Sequence, residues 1–181
     1  ISGAQIAQVH MECVDSLSLS AGITGLVEKG LHLQEEGKKF EEIVPILRTE
    51  AKKFRNYILI GNLNQLYKSG RLSSVQFYLG SILKIKPVIR INDQGELEEL
   101  AKVRSQKKAL QYLVNKVVES SQNEGVTAVY IMHANALELA QELKNSIQQE
   151  TADLEIYIGE ISTSLAVHAG EETLGVLWYL P

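Results

Sequence analysis

Leu63-Asn64-Gln65-Leu66-Tyr67-Lys68-Ser69-Gly70-Arg71-Leu72-Ser73 follows directly on the apolar run Tyr57-Ile58-Leu59-Ile60 and leads on to Ser81-Ile82-Leu83-Lys84-Ile85-Lys86-Pro87. The run of four apolar residues predicts a buried strand. Leu63 and Leu66 stand three apart, the spacing of one helical face. Gly70 then ends the turn, because glycine enters the left-handed conformation that other residues avoid. Arg71 follows on a fixed corner. It either clamps an anion through its planar fork or forms an ion pair that stiffens the corner. Ser73 is expected to cap a second helix over about residues 73–83, with Val75, Tyr78, Leu79 and Ile82 inward.

Downstream, Pro87-Val88-Ile89-Arg90-Ile91-Asn92 and residues 96–104 flank Asp93-Gln94-Gly95, the pattern of a β-hairpin. Ser105 opens a helix with Ala109, Leu110, Leu113, Val114, Val117 and Val118 on one stripe. Residues 126–132 read as a strand. Asn135 is placed to cap a helix carrying Leu137, Ala140, Leu143 and Ile147, and residues 154–158 alternate as a strand. Residues 159–170 read as a loop, and residues 173–179 as a last strand.

Upstream, residues 8–16 alternate polar and apolar and read as a strand. Cys13 is then expected to be a buried small hydrophobe. Ser18 or Ser20 can cap a helix over residues 21–33 with Ile23, Leu26, Val27, Gly30 and Leu31 inward. Its glycines, Gly22, Gly25 and Gly30, permit close packing on a sheet or on a ligand. Gly37 marks a break, and residues 40–54 read as a second amphipathic helix with Pro45 near its start. Strands and helices thus mix, with one hairpin and helical crossovers. The fold class is α/β, a mixed β-sheet with packed helices.

Composition narrows the function. The chain has 181 residues, a net charge of -4 and 45% hydrophobic residues. An acidic balance disfavours binding to phosphate backbones. No apolar run approaches the roughly 18 residues of a membrane helix. A single cysteine rules out an internal disulfide and suits a reducing cytoplasm. The chain begins at Ile1, without an initiator Met and without a signal-peptide pattern, which suggests a fragment.

Few residues suit chemistry. His168 lies in Leu165-Ala166-Val167-His168-Ala169-Gly170, close after Ser162, Thr163 and Ser164. An imidazole and hydroxyls at a glycine corner suit a carboxylate or phosphate, since either ring nitrogen can donate. The alternative is a histidine that merely bonds a loop carbonyl. His133 follows a strand, where α/β folds place ligand groups. His10 and His32 read as structural or exposed. Nucleophile-elbow, phosphate-loop and dinucleotide fingerprints are absent, and the histidines lack metal-ligand spacing. No cofactor and no metal is expected.

The opening motif resembles the DegV family of bacterial lipid-binding proteins. The resemblance extends over most of the chain. It takes in Val14-Asp15-Ser16 with Ser18, Ser20 and Gly22; Lys84-Ile85-Lys86-Pro87; Val103-Arg104 with Lys107-Lys108-Ala109; and His168-x-Gly170 with Thr173-Leu174-Gly175. Ser69, Ala169 and Glu171-Glu172 depart from the family pattern. The resemblance implies two α/β domains with a long-chain fatty acid, of palmitate or oleate type, in the cleft between them. It further implies a binding protein without turnover of its own, which presents the carboxylate to the catalytic subunit of a fatty acid kinase. His168 would donate to the carboxylate, Arg71 would lie near the head group or the kinase interface, and Ser164 would stand nearby. On this reading residues 1–30 end an N-terminal domain and residues 31–181 form the C-terminal one. The competing class is an enzyme acting on a small phosphorylated or carboxylated metabolite, with Arg71 as anion clamp and His168 as acid–base.

Overall fold

The structure, a computed structural model, describes residues 2–70 and 85–181. Arg71 and the helix expected over residues 73–83 lie outside the described residues. The elements run α1 (Ser2–Ala7), α2 (Ala21–Glu35), α3 (Phe40–Glu50), a 3₁₀ turn (Ala51–Lys53), β1 (Phe54–Leu59), α4 (Leu63–Lys68), β2 (Lys86–Ile91) and β3 (Leu97–Val103). They continue with α5 (Gln106–Glu124), β4 (Ala128–His133), α6 (Leu137–Glu150), β5 (Glu155–Glu160), α7 (Thr163–Ala169) and β6 (Leu174–Tyr179). The six strands form one mixed sheet in the order β3-β2-β1-β6-β4-β5. Among the described residues only β4 and β5 pair in parallel, and α6 connects them as the crossover helix. The last strand, β6, enters between β1 and β4, antiparallel to both.

Alternation along the strands divides the sheet into two unlike faces. Leu59, Val88, Val129, Ile131, Leu174, Val176 and Trp178 point to one side. There they join Leu113 and Val117 of α5 and Ala140, Leu143 and Ile147 of α6 in the main core. On the other side α2 packs at the Phe54 and Leu177 end, and α4 packs over Ile60 and Ile89. The floor between these two helices stays open.

Local chemistry accounts for several boundaries. Ser105 caps α5, its hydroxyl accepting from the Lys108 N–H at 3.3 Å, and Gly125 ends that helix at a φ of 73°. A Ser105→Ala substitution is expected to lower stability by about 1 kcal/mol, read as a drop in thermal midpoint with unchanged fold. The hairpin turns as its sequence demands, with Gly95 at a φ of 78° and the Asn92 N–H donating to the Glu96 carbonyl at 2.9 Å.

Several expectations need correction. Residues 8–16 form no strand, because no neighbouring strand supplies a ladder. They run irregularly over α3, held by Arg48 on Glu12 at 2.7 Å and by His10 against the Phe40 ring. Cys13 is consequently exposed, not buried. In α2 the buried residues are Ala21, Gly22, Leu26 and Leu33, while Ile23, Val27 and Leu31 are exposed. The helix of residues 40–54 stops at Glu50, and Phe54 opens β1 because its backbone pairs with Tyr179. Asn135 does not cap α6. It takes a φ of 47°, and His133 Nδ1 accepts from the Ala136 N–H at 3.3 Å.

Candidate functional site

The open floor is a groove with a cavity volume of about 600 Å³, within the range that small-molecule sites occupy. Ile58, Ile60, Ile89 and Leu177 form its apolar base, since these are the residues that alternation turns away from the main core. Asn56 is the polar exception on this base. Its side-chain amide donates to the Ile91 carbonyl at 2.9 Å and accepts from the Ile91 N–H at 2.6 Å. It thus satisfies the β2 backbone without backbone pairing at that point.

His168 reaches the groove from α7. The loop expected for residues 159–170 is largely this helix, in which Leu165 and Ala166 N–H groups donate to the Ser162 carbonyl at 3.0 Å. The His168 side chain is part-buried, and its Nδ1 is covered yet has no hydrogen-bond partner among the described residues. A covered polar atom without a partner is uncommon, because it forfeits its hydrogen bond to water and gains nothing in return.

Thr173 fixes where that imidazole stands. Its hydroxyl donates to the Ala169 carbonyl at 2.9 Å and accepts from the Gly61 N–H at 3.0 Å. One side chain, 3% exposed, therefore ties the last turn of α7 to the exit of β1. Thr173→Val keeps the shape and removes both bonds. It is expected to cost about 1–3 kcal/mol, because two backbone groups lose a buried partner. Chemical denaturation measures the loss, and a value within 0.3 kcal/mol of wild type, a difference of only about 1.7-fold in the unfolding constant, would contradict it.

The other candidates separate. Ser164 stands four residues before His168 on α7 but is exposed outside the groove lining, its hydroxyl paired with that of Ser162 at 3.0 Å. His133 is buried and uses Nδ1 to accept the Ala136 N–H, a structural role. His10 and His32 are exposed beside Glu12 and Glu35. A second hollow of about 870 Å³ lies at the β4 and β5 ends. Glu138, Glu142, Glu160 and Glu172 line it, which disfavours an anionic ligand there. Among the described residues no group of three His, Cys, Asp or Glu side chains converges to hold a metal ion. Among them, too, no helix is long and apolar enough to cross a membrane.

Sequence reasoning singled out His168, offered Ser18 only as a helix cap and Thr173 only as part of a motif, and assigned no role to Gly61 or Asn56. The far end of the groove contains Ser18, 8% exposed, and Phe54. Tyr179 lies beside them, and its hydroxyl donates to the Gly22 carbonyl at 2.5 Å. Burial pushes the Tyr179 phenol up to about 12, so it remains a donor at neutral pH. The signal for Asn56 was available as a lone amide entering an apolar strand. Nothing local marked the bond from the Gly61 N–H to Thr173, because those two residues stand 112 positions apart.

Known proteins carry the same sequence and fold features. The model of the family described as "Uncharacterised protein, DegV family" matches residues 2–180. A DegV domain-containing protein of Staphylococcus aureus is 29% identical over 175 residues, covering 96% of this chain and 62% of its own length. This chain thus spans about three fifths of that relative. The crystal structure of a fatty acid binding DegV family protein from Streptococcus agalactiae superposes with a TM-score of 0.88 at 28% identity, over 98% of this chain and 62% of that one. The fatty acid kinase B3 protein of Streptococcus pneumoniae, loaded with linoleic acid, superposes with a TM-score of 0.80 at 25% identity, over 99% of this chain and 66% of that one. The chain belongs to the DegV family.

Proposed function

We propose that this chain binds one long-chain fatty acid, its tail on the apolar floor and its carboxylate at His168, and presents that carboxylate to the catalytic subunit of a fatty acid kinase. It does no turnover of its own. The observation that carries the reading is the covered, partnerless Nδ1 of His168 at the edge of an apolar groove. An acyl tail supplies what the floor lacks, at about 0.8 kcal/mol per buried CH₂, and a carboxylate supplies what the nitrogen lacks. The fatty acid binding relative and the linoleic-acid-loaded kinase protein support it. Residues 1–30 then belong to an N-terminal domain, and residues 31–181 form the C-terminal one, with the lipid between them. On this reading Arg71 acts on the head group or at the kinase interface, and Ser164, which lies outside the groove lining, is a secondary candidate. The site works in the bacterial cytoplasm, where the exposed thiol of Cys13 stays reduced.

Native mass spectrometry of the full natural protein, purified from bacteria without delipidation, tests this reading. One fatty acid per chain is the expected result. A protein that is empty and also refuses added palmitate and oleate would overturn it.

A further inference from the structure

The groove has two different ends. The mouth is marked by His168 and Thr173, beside Ile60 and Gly61. The opposite end is Phe54, which lines the groove although only 7% exposed. Between Phe54 and Ile60 the floor follows β1 for roughly 20 Å at about 3.3 Å per residue. On the β6 side the lining goes no further, while Gln94 and Gly95 of the hairpin line the groove beside it on the β2 side. Tyr179 pairs with Phe54 on β6 yet lies outside the lining, its ring 5.3 Å from the Phe54 ring at a tilt of 46°.

The Phe54 ring is also held in place. A Cβ added at Gly22 would lie 2.6 Å from the ring edge, so α2 presses its backbone directly onto the ring. Only a glycine permits that approach. Tyr179 backs the ring from the side, and the Tyr179 hydroxyl is itself anchored on the Gly22 carbonyl. A ring wedged between a helix backbone and a second ring cannot rotate aside to admit more ligand without moving α2.

We infer that Phe54 is the end stop of the acyl site and sets the longest tail that the groove accommodates. The inference rests on the fatty-acid reading and adds a specificity-determining residue to it. Binding should strengthen roughly fourfold for each CH₂ that the floor covers, and should stop strengthening once the terminal methyl meets the ring.

The test measures the affinities of the full natural protein for saturated fatty acids of increasing length, from myristate to behenate. Wild type is compared with Phe54→Ala and the milder Phe54→Leu, each first checked for a native circular dichroism spectrum. Wild-type affinity is expected to climb and then level off. Phe54→Ala is expected to move the levelling point to longer acids, and Phe54→Leu to move it less. If Phe54→Ala does not fold, Phe54→Leu decides alone. A levelling point at the same length in a folded variant overturns the inference, as does a wild type that never levels off. A wild type that binds none of the acids overturns the lipid reading itself, an outcome distinct from both.

Discussion

His168→Ala is expected to release the bound fatty acid while leaving the fold as stable as before. The two halves of that result follow from one atom. Nδ1 has no partner among the described residues, so its removal breaks no hydrogen bond within them. Deleting a covered, unsatisfied polar atom does not forfeit folding energy in the way that deleting a paired one does. The apo protein should therefore keep its thermal midpoint to within a few degrees. Binding differs, because a hydrogen bond to a carboxylate contributes about 1.5–3 kcal/mol, roughly a ten- to hundredfold change in Kd. Tail burial remains, so the variant should still take up lipid at high concentration and lose it on dilution or delipidation. Acyl-phosphate formation with the kinase subunit should fall with it. Unchanged retention together with unchanged acyl-phosphate formation would remove His168 from the site. A large fall in the apo midpoint would instead show that the imidazole supports the fold.

Gly61→Ala is expected to be the most damaging glycine-to-alanine change among the described residues. A Cβ at that position would stand 1.8 Å from the Glu171 carbonyl oxygen, 2.6 Å from the Glu172 carbonyl carbon and 2.7 Å from the Thr173 nitrogen. All three are backbone atoms, so no side-chain rotation relieves the overlap. The exit of β1 and the turn after α7 must separate, and with them goes the bond from the Gly61 N–H to the Thr173 hydroxyl. Losses above about 4 kcal/mol come from a short set of mechanisms, of which backbone overlap in a packed region is one. For a domain of this size that corresponds to roughly 8–16 °C in thermal midpoint. Gly30→Ala is the informative comparison. Its Cβ would meet only Leu47 at 3.5 Å, an ordinary contact, and alanine favours a helix interior by about 1 kcal/mol over glycine. Thermal unfolding of the two variants side by side should give opposite signs. A Gly61→Ala protein as stable as wild type would mean that the close approach of β1 to residues 171–173 is not essential.

Much of the architecture was legible because it is written in short-range periodicity. The hairpin of β2 and β3 follows from alternation around Asp93-Gln94-Gly95, and α5 and α6 follow from stripes of apolar residues. Gly70 takes the left-handed conformation expected of it, at a φ of 70°. The motifs in Leu63–Ser73, Lys84–Pro87 and Thr173–Gly175 led to the family that the whole-chain match then showed. Where the expectations failed, a local pattern lacked a long-range partner. Residues 8–16 alternate as a strand should, but among the described residues no strand pairs with them. Phe54 fits the apolar stripe of α3, but the ladder with β6 claims its backbone. The α2 stripe was misassigned because Gly22, which carries no side chain, is what faces the sheet.

Most element types and the class of the sheet were thus readable from neighbours in sequence. Strand order was not, because β6 enters between β1 and β4 from the far end of the chain. Nor was the groove, whose floor is the side of each strand that remains after α5 and α6 have covered the other. The clamp that sets His168 joins Gly61 to Thr173, 112 positions apart. A hydrogen bond of that span leaves no periodic trace, since its partners are chosen by the packing of the whole sheet and not by the residues beside them.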